Sequence, residues 1–163
     1  MKLVEIERIV LQPDVTSVTI DNIFSATYDD YIVMVHYGLG DVPNNRPRFL
    51  DAAGNEDSGT EYQNHQIRAN TTGQLFQRGD TNNMSDLFWK YSGNHQIAHF
   101  YRPFSANHPS TAIVWGIQSA GNTYTDHGSN HDRQQSNRGL KFIVYSGSVY
   151  YNLGTIVIYG VAE

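Results

Sequence analysis

The sequence predicts an all-β chain, an antiparallel two-sheet sandwich of jelly-roll-like form with about eight to nine short strands. Three observations lead there. No stretch sustains a helical period, whereas several alternate apolar with polar residues or run as short β-branched blocks. Turn signals recur at spacings near the roughly 8–12 residues of sandwiches and barrels. Alternating strands carry one apolar face each, and two sheets packed face to face bury those faces. An immunoglobulin-like sandwich competes, but it typically needs only about 100 residues, and this chain has 163.

The elements follow in order. Leu3 to Leu11 reads as a strand, with Val4, Ile6 and Val10 on one face and Glu5 and Glu7 on the other, until Pro13-Asp14 breaks it. Val18, Ile20 and Phe24 then alternate with Thr19, Asp21 and Ile23, and the polar cluster Ser25 to Asp30 ends that strand. Tyr31 to Tyr37 is apolar up to His36, the pattern of a strand buried on both faces. After the turn-rich Gly38 to Pro47, Arg46 to Leu50 is a short strand and Asp51 to Thr60 a loop. Tyr62 to Ala69, with long polar side chains, is an exposed strand, and Asn70 to Asn83 is irregular. Asp86 to Tyr91 is aromatic and apolar. In Gln96 to Phe104, Ala98, Phe100 and Phe104 oppose Ile97 and Tyr101, with Pro103 marking a bulge or an edge. Ser110 to Gln118 is a strong strand with Ile113, Trp115 and Ile117 on one face and Trp115 in the core. Gly121 to Arg138 is a long polar loop. Gly139 to Tyr145 and Thr155 to Val161 close the chain. No repeat or linker divides it, so residues 1–163 are expected to form one domain.

Composition narrows the function. A chain of this length hides about 68–70% of its unfolded surface, so its core needs no staples. Cysteine is absent, which removes disulfides, thiolate zinc sites and cysteine nucleophiles together. Charged residues are 17% of the chain and the net charge is −5, without the basic stripe of a nucleic-acid binder. The apolar runs are strand-sized, so no membrane insertion is expected. Met1 to Arg8 places acids where a signal peptide requires an apolar stretch, so general secretory export is not expected either.

Asp126 to Asp132 holds two His and two Asp, but His127 and His131 suit a shared metal only on a helix, and the segment has no helical period. His65, His95, His99 and His108 fall on separate elements. The Gly-x-Ser-x-Gly turn of a serine nucleophile is missing. The acids from Asp29 to Asp86 sit mostly beside Gly or Asn, as turn formers do. The oxygen-rich loop Asp51 to Glu61 is the best calcium candidate, through Asp51, Asn55, Glu56 and Asp57, but it lacks the ligand alternation of an EF-hand. No catalytic residue, metal ligand or cofactor is therefore expected. Trp89, Tyr91 and Tyr124, aromatic among polar neighbours, are the candidate binding residues, for a glycan or for another subunit.

The order of several short motifs resembles a class of small jelly-roll-like bacteriophage virion proteins. Ser17-Val18-Thr19-Ile20 leads into Asp21-Asn22-Ile23-Phe24, and the aromatic-Asp element Tyr28-Asp29-Asp30 leads into Tyr31-Ile32-Val33-Met34-Val35. Arg46-Pro47-Arg48-Phe49-Leu50 precedes a Gly/Asn/Ser loop and Tyr62. The ending Gly154-Thr155-Ile156-Val157-Ile158-Tyr159-Gly160-Val161 is the most telling piece, and Gln63 to His95 departs from the pattern. The resemblance implies a non-enzymatic part of the virion, made in the host cytoplasm: a capsid decoration or cement protein, or a head fibre. It also implies a homotrimer that contacts the major capsid or tail protein. The alternative it implies is a tail-associated receptor-binding module recognising a host surface glycan.

Overall fold

The computed structural model describes residues 1–36, 45–70, 73–81, 83–84, 95–118, 123–144 and 154–162. Among them are eleven strands: β1 (Lys2–Val10), β2 (Ser17–Ile20), β3 (Asp30–His36), β4 (Asn45–Leu50), β5 (Tyr62–Asn70), β6 (Gly73–Thr81), β7 (His95–Tyr101), β8 (Ser110–Gln118), β9 (Thr123–His131), β10 (Gly139–Val144) and β11 (Thr155–Ala162). All pair antiparallel. An eight-stranded sheet has the order β1-β11-β3-β7-β8-β9-β5-β6, and a three-stranded sheet the order β2-β10-β4. The chain steps between the sheets, so β1-β11-β3-β7 faces β2-β10-β4 with the interleaving of a jelly roll. The hairpins β8–β9 and β5–β6 extend the large sheet beyond that unit. No described helix is long and apolar enough to cross a membrane.

The core lies between the sheets and is built around aromatic rings. Phe24 meets Tyr31 edge-on with centroids 4.8 Å apart, and Phe49 meets Phe100 edge-on at 6.0 Å, the geometry ring quadrupoles favour. Val33, Val35, Ala98, Ile156 and Ile158 of the large sheet and Leu140 and Phe142 of β10 complete it. The Tyr31 hydroxyl donates to the Ser25 carbonyl (2.8 Å) and accepts from the Ser25 amide (2.7 Å), so the buried phenol is satisfied. Two separate motifs also meet here: Gly160 lies under the ring of Tyr28, where a Cβ would overlap the ring. The aromatic-Asp element and the Tyr-Gly ending are therefore two sides of one contact.

Several expectations are corrected. In β1 a bulge between Glu5 and Glu7 shifts the pleat by one residue. Ile6 and Ile9 consequently pack on the core, and Val10, expected on one face with Val4 and Ile6, is 55% exposed. Ile23, expected opposite Phe24, is buried beside it, because Asn22 turns the backbone at φ 56°. Strand β3 is not buried on both faces: Tyr31, Val33 and Val35 are sealed, while Ile32 and Met34 on the outer face are half-buried. In β8 the core side belongs to Ala112 and Val114, and Ile113 is half-buried on the other side. Trp115, expected in the core, pairs in register with Ile97, and its side chain lies outside what the structure describes. Pro103 stands in the turn after β7 rather than at a bulge or edge.

Two strands lie where loops were expected. Gly121 to Arg138 contains β9, and Asn70 to Asn83 contains β6. Eight strands at about 4.8 Å spacing are roughly 34 Å wide, and three are about 10 Å wide. The small sheet cannot cover the far strands of the large one; where β5 and β9 are buried, at Tyr62, Asn64, Ser129 and His131, the loops around Asp57 and Gln135 cover them with polar groups, so these strands carry little apolar alternation. The segment Asp86 to Tyr91 lies outside the described residues.

Candidate functional site

The most concentrated polar chemistry is at the end of the sandwich where β9 stops. His131, the last residue of β9, sits opposite Ser110, the first of β8. Both are 1% exposed. Asp57, from the loop between β4 and β5, reaches the same place with its side chain 1% exposed. One carboxylate oxygen accepts from His131 Nε2 (3.0 Å), Gln135 Nε2 (2.7 Å) and Arg133 Nη1 (3.2 Å), and the other from the Gly59 amide (3.1 Å). Gln135 also donates to Asn137 Oδ1 (3.0 Å), and Asn137 Nδ2 donates to Ser110 Oγ (3.0 Å). Beneath them the Tyr62 hydroxyl accepts from the Phe49 amide (2.9 Å) and donates to the Asp57 carbonyl (3.1 Å). Every second residue of 131–137 thus turns into one buried network.

The electrostatics explain why the network is structural. Burial pushes the His131 imidazole below its usual value, against the opposing pull of the Asp57 carboxylate. A neutral ring that donates through Nε2 to Asp57 leaves Nδ1 as a buried acceptor without a partner. Burial likewise pushes the Tyr62 phenol upward. A serine, a histidine and an aspartate do converge here, yet Ser110 Oγ is engaged by Asn137 and the Pro103 carbonyl (3.5 Å), not by the histidine. A substrate cannot reach side chains that are 1% exposed, so this network holds loop 51–61 onto the sheet instead of activating a nucleophile.

Two open clefts lie close by, the first on the outer face of the large sheet and the second among the loops beside it. One, of about 520 Å³, has a floor made by a single row across four strands: Asp30 of β3, Tyr101 of β7, Thr111 of β8 and Asn130 of β9 are successive register partners. Arg102, His108, Pro109 and Asp132 form its walls. Thr111 Oγ1 donates to Asn130 Oδ1 (3.0 Å). The Tyr101 ring stacks on His99 at 4.0 Å, and His99 Nε2 stands 3.7 Å from Asp30. Burial lowers the His99 pKa, with Asp30 opposing. A second cleft of about 300 Å³ shares Arg102 and runs past Asp29, Tyr28 and Phe104. Its volume and that of the first lie within the roughly 300–1,000 Å³ of small-ligand sites.

Trp89 and Tyr91 lie outside the described residues. Tyr124 is in β9, in register with Ile117 and Ala69, six positions from Asn130 and so roughly 20 Å from the cleft floor. His127 and His131 are in a strand and not a loop; four residues of strand separate them by about 13 Å, too far to share one ion. In the calcium candidate, Asp51 accepts from the Ala53 amide (2.9 Å) and the Asn55 amide (2.8 Å), Glu56 pairs with Arg48 and Lys141, and Asp57 is taken by the buried network. Burial raises the Glu56 pKa, but the Lys141 and Arg48 hydrogen bonds outweigh it, so the carboxyl is held low. The loop's acids therefore diverge, and among the described residues no three His, Asp or Glu side chains gather as metal ligands would. Sequence reasoning missed the cleft because its floor comes from four separated segments, united only by register.

No family model, curated protein or solved structure matches this chain.

Proposed function

We propose that this protein is a non-enzymatic structural component of a bacteriophage particle, a decoration, cement or head-fibre subunit that works by burying surface between copies and on a neighbouring shell protein. One observation carries the reading: part of the outer face of the large sheet, over β1, β11, β3, β7 and β8, bears apolar side chains where a lone sandwich is normally polar. Ile32 and Met34 of β3, Ile113 of β8 and Tyr159 of β11 are only half-buried on it, and Leu3, Val10 and Ile97 are 38%, 55% and 40% exposed. An apolar patch crossed by His99 between Ile32 and Ile113 and rimmed by Glu5, Arg8 and Asp30 is a surface that a subunit contact can bury. Strand β1 adds an edge, since among the described residues it pairs only with β11.

Light scattering and co-sedimentation with particles test this. The wild-type chain is expected to be a trimer and to sediment with capsids, and Ile97→Lys to lose both properties at unchanged melting temperature. A wild-type chain that is monomeric and stays in the supernatant overturns the reading. Deleting Met1 to Leu11 is a poorer test, because Ile6, Ile9 and Leu11 belong to the core and their loss would unfold the chain. The second reading, a tail-associated module that recognises a host surface glycan, is favoured by the two polar clefts joined at Arg102.

A further inference from the structure

We propose that the two clefts on either side of Arg102 form one binding groove for a neutral oligosaccharide, one sugar lying on Tyr101 and the next beside Tyr28 and Phe104. The inference rests on the glycan-recognition reading and gives it a site and a ligand class.

The backbone at Arg102 is the first observation. Three described non-glycine residues have positive φ: Asp14 (67°), Asn22 (56°) and Arg102 (50°). Asp and Asn adopt this left-handed conformation readily, whereas an arginine there is strained. The Arg102 amide donates to the Asp29 carbonyl (2.7 Å), and its carbonyl accepts from the Ser105 amide (3.1 Å), which hold the turn. Glycine would make the same turn without strain, so the arginine stands there for its side chain. That side chain is exposed, makes no ion pair or hydrogen bond among the described residues, and borders both clefts.

The second observation is the chemistry of the row. A sugar needs acceptors and donors alternating along one face, with an aromatic plane for its C–H face. Asp30 and Asp132 supply acceptors. The Thr111–Asn130 bond uses the amide oxygen of Asn130 and leaves its NH₂ group to donate. The Tyr101 ring supplies the plane and is held by its stack on His99. Arg102, with five donors in a rigid fork, spans hydroxyls of adjacent sugars. The charges select the ligand: the three carboxylates Asp30, Asp132 and Asp29 outnumber the single Arg102 guanidinium and disfavour an acidic sugar, and the polar lining gives an apolar ligand nothing to displace.

Calorimetric titration of the full chain with chitotetraose, mannotetraose, maltotetraose and tetragalacturonate, each beside its monosaccharide, tests the assignment. At least one neutral tetrasaccharide is expected to bind and the galacturonate not to. Tyr101→Ala is expected to weaken tetrasaccharide binding about tenfold or more. Arg102→Gly is expected to weaken it about tenfold while leaving monosaccharide binding nearly unchanged, because the arginine joins two subsites. Its melting temperature should equal or exceed that of the wild type, since glycine relieves the strain, so lost binding cannot be ascribed to unfolding. Binding of the galacturonate alone, or neutral binding untouched by both substitutions, overturns the groove and leaves the glycan reading standing. No binding by any of the sugars overturns both.

Discussion

Replacing Asp57 with alanine tests the buried network most directly. The carboxylate takes three side-chain hydrogen bonds on one oxygen and a backbone amide on the other. The donors differ in what they do once it is gone. The Arg133 side chain is 45% exposed and keeps Glu61 at 2.9 Å, so it turns to water and to that partner at little cost. His131 is 1% exposed and has no such escape, and Gln135 is left half-satisfied. A hydrogen bond to a charged group is worth about 1.5–3 kcal/mol, and the two neutral donors stranded here are His131 and Gln135. The expected loss for Asp57→Ala is therefore about 3–6 kcal/mol, or roughly 6–24 °C in melting temperature for a domain of this size. Urea titration gives the measurement, through a lower midpoint at unchanged slope. Arg133→Ala should lose under about 1 kcal/mol in the same assay. An Asp57→Ala loss below about 1 kcal/mol refutes the account, since the carboxylate would then not be organising that end of the fold.

Stability should also fall as pH drops from about 7 to 5. His131 is held below its unfolded value by burial, with Asp57 and Glu61 pulling the other way and Arg133 adding to the burial, so below roughly pH 6.5 the unfolded chain binds a proton that the folded chain does not. The slope this adds is at most about 1.4 kcal/mol per pH unit, and urea midpoints of wild type minus His131→Gln across that window should isolate it. Gly139→Ala should lose about 1–3 kcal/mol by chemical denaturation, because its Cβ would meet the Ile20 carbonyl oxygen, which is backbone and cannot swing away. Excess EDTA should leave the thermal melt unchanged, because the Asp51 carboxylate is already satisfied by the amides of its own loop.

The strands that line the core were legible in the sequence because burial writes a period-2 pattern. Ala98 and Phe100 against Ile97 are where alternation pointed. The pattern failed wherever something other than core burial shaped the strand. At β1 a bulge moved Val10 outward and Ile9 inward. In β8 both faces are apolar, so alternation could not say which was inside, and the smaller Ala112 and Val114 took the core. In β6 and β9 there was no pattern to read, since the narrow second sheet demands none.

The sequence by itself determined the class: antiparallel strands, no cysteine chemistry, no basic face, and turns at sandwich spacing. These are local or compositional properties, and a chain carries them whatever its contacts. Only the tertiary structure decided which residues act together. Asp57 and His131 are separated by 74 positions and meet at 3.0 Å. Asp30, Tyr101, Thr111 and Asn130 become one row only when β3, β7, β8 and β9 are laid in register. The physical reason is that hydrogen-bond register across a sheet depends on pairing partners distant in the chain, and a one-residue slip would turn every one of those side chains to the other face.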